Sequence, residues 1–183
     1  PIYSSPASYV YTSQAKNDEI DARTDLTDEE KAVAKADAKA TADAAKAAID
    51  KATKKAEVDQ SKSTGTREVT SVNPEALTKS AAKQSIDEAL KAKTDEIDSR
   101  TDLTDEEKTA AKADAKATAA AAKEAIDRAT TNAAVDQAQS TGTTELKVIN
   151  PQPVAKSAAK QSIDEALKAK TAEIDARTDL TDE

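Results

Sequence analysis

Large aliphatic side chains fall on one helical face over residues 77–97. Ile86, Leu90 and Ile97 are spaced i, i+4, i+11, with Leu77 and Ala81 preceding them. The spacing predicts a helix with Asn73 at its N-cap and Pro74 at its first helical position, where no amide proton is needed. A second pattern opens at Thr104-Asp105-Glu106-Glu107. Thr104 and Glu107 have capping-box spacing, and three acidic residues suit the positive end of a helix. Its stripe is small: Ala111, Ala115, Thr118, Ala122, Ile126 and Ala129. A third pattern begins near Thr130 or Thr131. Val135, Ala138, Gly142, Leu146 and Ile149 again share a helical face. A mid-helix Gly costs roughly 1 kcal/mol against Ala. Two readings stay open: a continuous helix with Gly142 in a close helix contact, or a break near Gly65 and Gly142.

The three patterns recur. Asp18-Glu19-Ile20-Asp21 returns as Asp95-Glu96-Ile97-Asp98 and as Ala172-Glu173-Ile174-Asp175. Leu26, Leu103 and Leu180, Gly65 and Gly142, and Pro74 and Pro151 keep the same 77-residue offset. Lys79 to Thr94 is repeated unchanged as Lys156 to Thr171. Such long repeats identify an array. The expected organisation is a divergent segment over 1–14, a first repeat over 15–73 with a shortened first helix, a complete repeat over 74–150, and a partial third over 151–183. The last would hold a first helix, begun at Asn150-Pro151-Gln152-Pro153, and the start of a second; its apolar face would lack a bundle of its own. Ser5-Pro6 is a candidate start for the shortened helix, with Tyr9 in the slot of Ile86; a foreign or unfolded tail is the other reading. The chain begins without Met and stops inside a motif, so an excerpt of a longer protein is expected.

The predicted fold class is all-α: tandem three-helix-bundle repeats of 77 residues. Three helices enter a unit at one end and leave at the other, so the array is expected to be an elongated rod. A helix of about 26 residues spans roughly 40 Å.

Composition makes the core thin. The only aromatics are Tyr3, Tyr9 and Tyr11, and Cys, Met, Trp, Phe and His are absent. The complete copy has ten large aliphatic residues: Leu77, Ile86, Leu90, Ile97, Leu103, Ile126, Val135, Leu146, Val148 and Ile149. Neighbouring repeats are therefore expected to contribute to stability. A net charge of −8 suits neither nucleic-acid phosphates nor an anionic membrane surface, so no nucleic-acid partner and no membrane insertion are expected.

Candidate chemistry is sparse. Without His or Cys, the usual nucleophile–base pairs and zinc sites are missing. Two glycines cannot build a phosphate loop. Asp105-Glu106-Glu107 reads as a helix cap in preference to a metal cluster. Asp95 to Glu107 lacks the sixth-position Gly of a calcium loop. No catalytic, cofactor-binding or metal residues are assigned, no cofactor is expected, and the ligand-binding residues are unknown.

The chain resembles a known family at Ala159-Lys160, Ile163-Asp164, Leu103 to Lys108, Ala125-Ile126-Asp127, Ala129 to Asn132, Val135-Asp136, Gly142 and Pro151. These residues are similar to the Ala-rich repeat of Gram-positive wall-anchored surface proteins, catalogued as domain of unknown function fifteen-forty-two. The resemblance covers about residues 15–183. It implies a monomeric helical array within an exported, wall-anchored protein linked to adhesion, aggregation or biofilm formation, and it carries no catalytic residue. The expected function is a stalk that projects a distal binding domain. The alternative is a repeated module for a host or bacterial surface protein, such as a serum or matrix protein, with avidity from its copies.

Overall fold

The computed structural model describes residues 7–177, with side chains from Thr12 onward. The described residues form seven helices and no strand: α1 (Ala7–Asp21), α2 (Asp28–Lys51), α3 (Lys55–Ser71), α4 (Leu77–Ser99), α5 (Asp105–Arg128), α6 (Asn132–Val148) and α7 (Val154–Asp175). The helices thus follow the predicted three per repeat. The expected start at Ser5-Pro6 and the opening of a third-copy second helix lie outside the described residues, as does the Tyr9 side chain.

The chain forms two compact units, Pro1–Ile86 with Ala122–Thr141, and Asp87–Ala121 with Gly142–Glu183. In the first, α1, α2 and α3 pack pairwise into a three-helix bundle. Ile20, Leu26 and Ala34 form one core cluster, with Ala76 against it. Ala38, Ala42 and Ala45 continue the buried stripe of α2, and α3 contributes Gly65 and Val69. In the second unit Ile97, Leu103 and Ala111 form the cluster equivalent to Ile20, Leu26 and Ala34. Small side chains over most of the α2 and α5 stripes replace bulk with close approach.

Capping boxes start the second helices. Thr27 N donates to Glu30 Oε2 at 2.9 Å, and Glu30 N donates to Thr27 Oγ1 at 3.3 Å. The same pair recurs at Thr104 and Glu107, at 2.9 and 3.2 Å. For α6, Thr131 Oγ1 accepts from Ala134 N at 3.2 Å.

The helices α3 and α6 run unbroken through Gly65 and Gly142, and both glycines are buried. Neither has positive φ, so each is there for its missing side chain and not for its backbone freedom. Gly65→Leu should therefore destabilise the chain by about 1–3 kcal/mol through overpacking, despite a helix-propensity gain of up to about 1 kcal/mol. Urea unfolding followed by far-UV circular dichroism measures this; equal or greater stability would refute the close-contact account.

Several expected positions shift. The first helix of the second copy starts at Leu77, not after an Asn73 cap, and α7 starts at Val154 with Pro153 at its N-cap. The reason is that Glu30 and Glu107, in the preceding repeat, cap these helices, as described below. On α4 the buried alanine is Ala82, with Ala81 exposed. On α5 Ala119 is buried, while Thr118 is half-buried and donates its hydroxyl to Asp114 O at 3.0 Å. Leu77 and Val148 are exposed, which leaves the core thinner than counted. The apolar residues of α7, Ile163 and Leu167 among them, are exposed, as expected for a first helix without its bundle.

Candidate functional site: the joint between repeats

Several polar side chains form hydrogen bonds across the place where one repeat meets the next. This joint appears once in the first unit, at the α1–α2 turn and the start of α4. It appears again in the second unit, at the α4–α5 turn and the start of α7.

Glu30 is its centre. One carboxylate oxygen closes the α2 capping box. The other, Oε1, accepts from Leu77 N at 3.1 Å, Thr78 N at 2.9 Å and Thr78 Oγ1 at 2.8 Å. One side chain therefore caps two helices belonging to successive repeats. Its equivalent, Glu107, accepts from Ala155 N at 2.9 Å. Burial pushes the Glu30 carboxyl up, but the hydrogen bonds from Thr27, Thr78 and Leu77 outweigh it and hold it below the usual value. Glu107 is held low by donation from Ala155 and Thr104.

Arg23 fixes the turn. Its guanidinium makes a two-pronged pair with Asp25 at 2.7 and 2.6 Å and reaches Asn73 Oδ1 at 3.3 Å. Arg100, Asp102 and Asn150 repeat the arrangement at 2.8, 2.6 and 3.1 Å. These contacts occupy the Asn73 side chain that sequence reading assigned to a cap. Arg23 and Arg100 hold the carboxyls of Asp25 and Asp102 down to about 2.

These carboxyls predict an acid limit. Their folded values lie below the ordinary 3.8, so their contribution is complete above about pH 4 and disappears as pH falls through about 2. Melting temperature should be flat above about pH 5 and fall between pH 4 and 2. The groups face solvent, so the fall should be modest. Asp25→Asn with Asp102→Asn should make the fall shallower, leaving the part that belongs to Glu30 and Glu107; an unchanged acid limb in that variant would contradict the assignment.

Lysines complete the joint. Lys79 is 4% exposed, and its Nζ donates to Thr24 O at 2.9 Å and Asp127 O at 2.8 Å. Lys156 Nζ reaches Thr101 O at 2.6 Å. Asp28 N donates to Thr130 O at 2.6 Å, and Asn132 N to Glu29 Oε2 at 3.0 Å. In the first unit, the start of α2 thus also meets the α5–α6 turn of the following repeat. In the second unit, Lys93 is buried and donates to Lys147 O at 3.0 Å and Ile149 O at 3.1 Å, beside Glu96.

Sequence reading placed Glu107 correctly in a cap but missed the second helix it serves. It also missed Lys79 and Lys93. The available signal was position: each is seven residues from Ile86, on the core face of α4. Among the described residues no group of three or more carboxylates is arranged to hold a metal ion. None of their helices is long and apolar enough to cross a membrane. The carboxylates of Glu30 and Glu107 and the ammonium groups of Lys79 and Lys156 are engaged in capping and tethering helices.

Helical units of fixed length, joined by recurring polar caps, define a tandem helical-repeat protein. The chain belongs to the family described as Domain of Unknown Function (DUF1542), whose model matches residues 11–77 and 78–154. It is 33% identical over 169 residues to the "Extracellular matrix-binding protein EbhA" of Staphylococcus aureus strain Mu3, covering 92% of this chain and 2% of that protein. The protein of the same name from strain Newman is also 33% identical over 169 residues, with 92% of this chain and 5% of the relative covered. The chain thus spans a small fraction of the length of these relatives. No solved structure matches it.

Proposed function

We propose that this chain is a segment of the stalk of a bacterial cell-surface protein that serves adhesion or biofilm formation, extracellular and wall-anchored, with a mechanical and not an enzymatic role. The observation that carries this reading is the joint itself. Glu30 and Glu107 each tie their own helix to the first helix of the next repeat, at an unchanged 77-residue interval. Three helices per unit favour end-to-end addition. The relatives named as extracellular matrix-binding proteins of Staphylococcus aureus support a surface location.

The test is small-angle scattering on arrays of one to five repeats. A maximum dimension that rises linearly with repeat number is expected of a monomeric stalk; a near-constant dimension would reject it.

A second reading is a repeated binding module for a matrix protein, favoured by the relatives' printed name. Surface-resonance measurements against immobilised matrix and serum proteins separate the two. Saturable binding that scales with repeat number would favour the module.

A further inference from the structure

The first joint leaves an open groove of about 540 Å³ in the first unit. Its apolar wall includes Val33 on α2 and Leu77 at the start of α4, with Val72 between the repeats. Val33 and Leu77 are 63% and 64% exposed. Away from α7, the only other exposed large aliphatic among the described residues is Val148. Two bulky apolar side chains facing water in one groove are informative, because the rest of this surface is so polar.

The groove is also one-signed. Glu29, Asp37 and Glu75 line it, and no Lys or Arg among the described residues does. Asp37 and Glu75 have no ion-pair partner among the described residues, in a chain where many carboxylates do. Asn132, also in the lining, keeps its side-chain oxygen buried without a hydrogen-bond partner.

A related groove of about 450 Å³ recurs one repeat later, in the second unit. There Ala110, Asp114, Ile149 and Gln152 stand where the first has Val33, Asp37, Val72 and Glu75. The position is retained while the apolar and acidic content is reduced.

We propose that the groove at each joint docks a basic peptide segment of a partner protein, with a Lys or Arg side chain beside an aliphatic one. The aliphatic side chain packs on Val33 and Leu77, and the cation lies along Asp37 and Glu75. The chemistry excludes an anionic ligand by repulsion and gives a wholly apolar one no use for the carboxylates. A stalk built this way carries one docking groove per repeat, so weak sites sum by avidity. The proposal stands apart from the spacer reading: rod-like scattering without peptide binding leaves that reading intact and overturns this one.

The probe is a synthetic seven-residue peptide of alternating Leu and Arg, titrated into the ¹⁵N-labelled full chain and followed by amide shifts. Two control peptides replace Leu by Ser or Arg by Glu. Saturable shifts should concentrate on residues 29–37 and 72–77, with weaker ones on 107–114 and 149–152. The Ser control should bind about tenfold more weakly, the equivalent of about 1.4 kcal/mol, and the Glu control not measurably. Val33→Ala with Glu75→Gln introduces the side chains already present at Ala110 and Gln152, so folding is expected to survive. This variant should lower affinity at the first groove at least about threefold, to that of the second. Shifts spread evenly over the acidic surface, equal binding of the Ser control, or an unaffected variant would each overturn the proposal. So would a concentration-dependent dimer in sedimentation that Val33→Ala abolishes, since a second copy would then be the occupant.

Discussion

Ile86→Ala should cost the chain about 2–5 kcal/mol, while Ile163→Ala should change its stability by less than about 0.5 kcal/mol. The two residues lie in identical sixteen-residue segments, Lys79 to Thr94 and Lys156 to Thr171. Local helix propensity and neighbours in sequence are therefore the same. Only packing differs: Ile86 is 0% exposed in the core, and Ile163 is 68% exposed on α7. Truncating Ile86 removes three buried carbons and leaves a cavity among small side chains that have little freedom to fill it. Truncating Ile163 returns apolar surface from water and slightly favours the helix. Urea denaturation of both variants is the measurement. Equal losses would mean that α7 is covered in solution.

The second large effect falls on the joint. Glu30→Ala should cost about 3 kcal/mol, because it removes the acceptor of Thr27 N, Leu77 N, Thr78 N and the Thr78 hydroxyl at once. Hydrogen bonds to a carboxylate are worth about 1.5–3 kcal/mol each, and water replaces part of them at this half-buried site. Glu30→Gln should recover part of the loss, since an amide oxygen still accepts. Hydrogen exchange distinguishes the joint from a simple capping role. The Leu77 and Thr78 amides should exchange faster in Glu30→Ala although they lie 47 and 48 residues away in the chain. If only the amides at the start of α2 respond, Glu30 does not couple the repeats.

The number of helices, their order and their capped starts at Thr27 and Thr104 are readable from the chain because those signals are local. A capping box occupies four consecutive residues, and an alanine stripe declares its own period. The joint is a different matter. Glu30 serves a helix 47 residues onward, and nothing near Leu77 announces the cap it receives. Asn73 and Pro74 carry the local signature of a helix start, yet Arg23 claims the Asn73 side chain and the helix begins three residues beyond Pro74. The lysines were missed because charge is ordinarily a mark of exposure. Lys79 and Lys93 are buried by virtue of backbone carbonyls supplied from other helices and turns, which a pattern of polar and apolar positions does not contain. The groove was illegible for the same reason: Val33 interrupts no stripe and joins Leu77 only in space.

Those two lysines have a consequence for folding errors. An alanine-lined seam is nearly featureless, so a helix sliding along it by two turns would find almost the same landscape. Lys79, Ile86 and Lys93 break that degeneracy, because a seven-residue phase error sets an ammonium where the isoleucine belongs and an isoleucine beneath carbonyls that need a donor. A buried cation without its acceptors costs several kcal/mol. The alternation of charge and bulk along α4 thus acts as a vernier, allowing a protein made of near-copies to find a single alignment.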